Sequence, residues 1–104
     1  MGWTKFRVKR MQPKIDPHQK AYVCLHVFRG ERPVLLVSRP DGDWCFLCGD
    51  AHENDASAYR VVGIGHVLDR DQELRQALDL PPDWDAERGA VGQPWERRPI
   101  DETS

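Results

Sequence analysis

The chain has 104 residues, 39% of them hydrophobic and 31% charged, a balance that suits one soluble domain and excludes both a fully disordered chain and a membrane-embedded one. No apolar run approaches the roughly 18 residues of a transmembrane helix, and the first residues lack the apolar core of a signal peptide, so a cytoplasmic protein is expected. Three cysteines, an odd number, fit reduced thiols better than a disulfide framework.

The net charge of −2 hides a division. Residues 1–39 hold four Lys and five Arg against Asp16 and Glu31, which is +7, whereas residues 40–104 hold six Arg against fifteen acids, which is −9. The basic residues Lys5, Arg7, Lys9, Arg10, Lys14 and Lys20 admit a nucleic-acid surface. A solvated or self-paired face is the simpler reading, because no domain-wide positive excess remains to hold phosphates.

Residues 1–20 contain Pro13 and Pro17 and little periodic apolar content, and read as a basic lead-in, with one extended piece at 3–8. A single domain is expected over 21–98. Residues 21–28 are apolar on both alternating faces, the pattern of a central strand covered on two sides. A second strand is expected over 34–39 and a third over 43–48, joined by a two-residue hairpin turn at Asp41-Gly42.

Residues 49–58 are polar and read as a loop. A fourth strand follows over 59–66, in which Gly63 and Gly65 leave one face bare for close approach by another group, Trp44 being a candidate. Asp69 or Asp71 can cap a short helix with Leu74, Ala77 and Leu78 on one side, ending before Pro81-Pro82. Pro81, Pro82, Pro94 and Pro99 then break the chain into an irregular arm anchored by Trp84 and Trp95, and residues 99–104 form a frayed tail. The fold class expected is α+β: a small antiparallel sheet of about four strands packed with one short helix.

Two chemical patterns stand out. Cys45-Phe46-Leu47-Cys48-Gly49 with His52 has the spacing of a zinc knuckle, and Cys24 and His26 are able to complete it. Against this, residues three apart on a strand face opposite sides, so no metal is expected and zinc on Cys45, Cys48, His52, Cys24 and His26 is the alternative. Nucleophilic catalysis would need Cys48 or Ser57 beside His52 or His66, oriented by Asp50, Glu53 or Asp55. Such types occur in any charged domain, and no catalytic residue is assigned. Gly63-Ile64-Gly65 lacks the spacing of a phosphate loop. The second pattern is Trp84 and Trp95 with Glu87 and Arg88, a residue set suited to a protein-binding surface or to pinning the arm to its own domain. Trp84 is expected to be substantially buried, with Glu87 or Arg88 in a fixed polar contact nearby.

The strings Asp41-Gly42-Asp43-Trp44-x-Phe46-Leu47-Cys48-Gly49, residues 61–66 (Val-Val-Gly-Ile-Gly-His) and residues 80–88 resemble a family of small uncharacterised bacterial proteins related to the immunity-protein-like domains of polymorphic toxin systems. The resemblance spans roughly residues 21–98. It implies an α+β fold and, more loosely, binding of another protein, and it supplies no catalytic residues. A non-enzymatic protein-binding domain is therefore the leading expectation. A zinc-binding or thiol-dependent protein is the alternative, and neither a nucleic acid nor a membrane is an expected partner.

Overall fold

Alternation of buried and exposed residues carries the chain into β1 (Lys20–Cys24), where Ala21 and Val23 point inward. The strand stops at Cys24, four residues short of the expected end. Residues Leu25–Phe28 instead wind into a single helical turn, α1, which buries Val27. The apolar run on both faces fits a strand or a buried helical turn equally well. Gly30 decides between them: its φ of +73° lets the chain reverse, and its N–H donates to the Val27 carbonyl at 3.0 Å. The structure, a computed structural model, describes residues 15–49 and 56–100. The basic residues before Lys14 and Lys14 itself, the expected extended piece at 3–8, Asp50 to Asp55 with His52, and residues 101–104 of the expected 99–104 tail lie outside the described residues.

β2 (Leu36–Ser38) and β3 (Trp44–Leu47) pair antiparallel, Val37 opposite Phe46. The register centres their hairpin on Asp41-Gly42, as expected. Asp41 has φ 54° and Gly42 φ 86°, the positive pair of a type I′ turn, closed by Asp43 N–H donating to the Pro40 carbonyl at 3.0 Å.

β4 (Tyr59–Gly63) pairs antiparallel with β1, and the chain then enters α2 (Ile64–Arg70) rather than continuing as strand to His66. Ile64, Val67 and Leu68 recur at helical spacing and are buried, a periodicity that overrides the strand reading. The expected close approach at Gly63 and Gly65 occurs, but from Pro17 rather than Trp44. A Cβ at Gly63 would sit 2.9 Å from the Pro17 carbonyl oxygen, and one at Gly65 would sit 2.9 Å from the Pro17 Cβ. Gln19 and Pro17 carbonyls accept the Ile64 and Gly65 N–H groups at 2.8 and 3.0 Å, fastening the chain ahead of β1 to the start of α2.

The expected helix around Leu74 is a 3₁₀ segment, Gln72–Ala77, capped by the Asp71 carboxylate, which accepts from Glu73 N–H at 3.0 Å. The irregular arm proves to be two further strands, β5 (Trp84–Glu87) on β2 and β6 (Glu96–Pro99) on β5. Among the described residues the sheet therefore has six strands in the order β4-β1-β3-β2-β5-β6, not about four. It is mixed rather than wholly antiparallel, since β1 and β3 run parallel, Ala21 opposite Trp44.

Register sorts the side chains into two faces. Ala21, Val23, Val37, Trp44, Phe46 and Ala86 share one face and join Ile64, Val67, Leu68, Leu74, Leu78 and Leu80 in a single core. Tyr22, Leu36, Ser38, Cys45, Leu47 and Asp85 occupy the opposite face and are half-buried. The result is an α+β domain with helical segments packed on one face of the sheet. Among the described residues no helix is long and apolar enough to cross a membrane.

Candidate functional site

Parallel pairing of β1 and β3 sets the carboxyl ends of the two strands side by side. Cys24 closes β1 and Cys48 directly follows β3, so residues 24 positions apart in the chain arrive at one end of the sheet. The single turn of α1 then folds His26 back over the same point. Cys48 Sγ lies 3.5 Å from His26 Nδ1, and the ligand atoms of Cys24, His26 and Cys48 all fall within 4.8 Å of one another. Cys24 is fully buried, Cys48 is buried and His26 is half-buried. Burial raises the Cys24 thiol above its ordinary range; backbone N–H groups of Val27 and Cys48, which donate to its sulfur, pull the other way.

Cys45 stands apart from this group. It lies within β3 on the opposite sheet face, level with Tyr22 and Ser38, so the pair Cys45 and Cys48 does not converge, as the strand reading expects. Burial pushes its thiol up to about 11, helped by the negative charges of Asp43 and Asp85. His52, the other knuckle residue, lies outside the described residues. The imidazole beside Cys48 is that of His26; His66 is an exposed residue of α2.

A second feature lies where α1, α2 and the turn leading to β2 meet the core face of the sheet. A pocket with a cavity volume of about 650 Å³ opens there to solvent. Val23, Val27, Val34, Val62, Val67 and Leu74 form its apolar walls. Phe28 and Val91 stand at it 44% and 54% exposed, and Arg32, His66 and Arg70 supply polar and cationic groups. The acid in the lining, Asp71, is bound by Arg88 at 2.7 Å. Sequence reasoning missed this pocket because its residues are scattered along the chain from Val23 to Val91 and no local pattern joins them.

The residues expected to face a partner divide. Trp84 is half-buried and packed against the core, while Glu87 is exposed and pairs with Arg98 at 2.6 Å. Trp95 is 8% and Arg88 3% exposed. The Arg88 guanidinium donates to the Val34 carbonyl from Nε and Nη2, and to Asp71 and Glu73 at 2.7 and 2.9 Å. Comparison with protein families, with curated proteins and with solved structures found no match.

Proposed function

We propose that the chain is a small, non-enzymatic cytoplasmic binding domain whose pocket receives an apolar anchor from a protein partner. The observation that carries this reading is the position of Phe28 and Val91. Both belong to the large apolar residues that stay exposed, and both stand where the core opens into a cavity. Arg32, Arg70 and His66 around the apolar walls favour an anchor flanked by Asp or Glu, since complementary charge steers and orients such an encounter. This reading keeps the expectation, drawn from the sequence, of an immunity-like domain that masks another protein. Three free thiols suit a reducing compartment.

Selection from a displayed peptide library tests it. Enriched sequences should carry a large apolar residue beside acids, and Phe28→Ser and Arg70→Glu should each weaken their binding about tenfold or more. Enrichment without acids, binding indifferent to both changes, or a pocket that takes dodecanoate but no peptide would overturn the proposal.

A further inference from the structure

The geometry points to a zinc site formed by Cys24, His26 and Cys48 at the carboxyl ends of the paired parallel strands. Zinc–sulfur bonds of about 2.3 Å and a zinc–nitrogen bond of about 2.0–2.1 Å at tetrahedral angles place sulfur and nitrogen about 3.6 Å apart. The 3.5 Å between Cys48 Sγ and His26 Nδ1 already meets that spacing, and the whole trio lies within 4.8 Å, so an ion enters with small side-chain adjustment.

Two thiolates and an imidazole are a soft to borderline donor set of the kind that zinc takes in proteins. Two further features support a metal rather than a bare hydrogen-bonded trio. The ligands come from the end of a central strand, the turn after it and the end of the neighbouring strand, so the sheet itself holds them at fixed separation. His26 keeps partial solvent exposure, which gives the ion an entry path and leaves water as the fourth ligand. As the two zinc–sulfur bonds form, each thiol releases its proton to solvent.

This site is not the knuckle that the Cys45-x-x-Cys48 spacing suggests. Cys45 takes no part, and its exclusion is the sharpest test available. The untagged, reduced full chain should bind one zinc or cobalt(II) per molecule, the cobalt form showing sulfur-to-metal charge-transfer absorption. His26→Gln and Cys48→Ser should weaken zinc binding, measured against a chromophoric chelator, about a hundredfold or more, since loss of even a supporting residue at such sites costs 10–100-fold. Cys45→Ser should leave both stoichiometry and affinity unchanged. Circular dichroism shows which variants fold; His26, half-exposed and outside the core, keeps the test decisive if the cysteine variant does not. A folded, reduced chain without the charge-transfer band, unchanged affinity in His26→Gln, or equal loss in Cys45→Ser would each overturn the site.

Discussion

Arg88 lies against the ring of Trp95, its guanidinium carbon 4.5 Å from the ring centroid, and the two close the gap between the 3₁₀ segment and the last two strands. The arginine is buried, yet its charge is answered. It meets two carboxylates, one carbonyl oxygen twice and an aromatic face.

Removing one side of that arrangement takes the guanidinium away from Asp71 Oδ2, Glu73 Oε1 and the Val34 carbonyl. Arg88→Ala should therefore lower stability by about 3 kcal/mol, read as a shift in the urea midpoint at unchanged slope. Lysine should rescue little of this, because a single ammonium cannot span three acceptors in the guanidinium's plane. Full stability in Arg88→Lys would count against the account.

Trp95 is nearly enclosed and Trp84 only half so, which reverses the importance that sequence reasoning gave them. Trp95→Ala should cost about 3–5 kcal/mol, the range for truncating a large buried aromatic. Trp84→Ala should cost clearly less, and equal thermal shifts would refute the ranking.

Gly65 has no room for a methyl group because the Pro17 Cβ occupies it. Gly65→Ala should destabilise by about 1–3 kcal/mol, as overpacking does. Adding Pro17→Gly should recover part of that loss, whereas at Gly63 the obstructing atom is the Pro17 backbone oxygen, so the same second change should not help Gly63→Ala. A double-mutant cycle measures both.

Cys45 should resist alkylation in the folded chain. With its thiol pushed up to about 11, roughly one molecule in a thousand carries the reactive thiolate at pH 8. The folded pKa exceeds the unfolded one, so the stability linked to this group is complete below about pH 9 and is lost as pH rises through about 11. Cys45→Ala should flatten that part of the alkaline unfolding curve; an identical curve would show that another group governs it.

Local chemistry explains what was legible in the sequence. Asp41-Gly42 allows two positive φ values in succession, and the flanking alternation then leaves one register for β2 and β3. Gly63 and Gly65 announced a close approach, though not by Pro17, because an unpatterned segment carries no sign of where it docks. Short apolar runs misled in two places: residues 25–28 and 64–66 alternate like strand but take helical turns, where backbone bonding after the strand end decides. Trp84–Glu87 and Glu96–Pro99 looked irregular because prolines lie beside them, yet Pro99 sits at a strand terminus, where a missing N–H is tolerated. The cysteine–histidine group was legible as a set of residue types but not as a geometry. Parallel pairing of β1 with β3 leaves no local mark, and it is this pairing that admits Cys24 and excludes Cys45.

The last strand also bears on how the chain behaves when crowded with copies of itself. Among the described residues β6 forms one border of the sheet, and its Glu96-Arg97-Arg98-Pro99 is exposed throughout. A border of three charges and an imino acid repels an incoming strand and offers it one donor fewer, which guards against edge-to-edge aggregation. Among the described residues the other border, β4, exposes Val61 and carries a single charge, so it is the less guarded of the two.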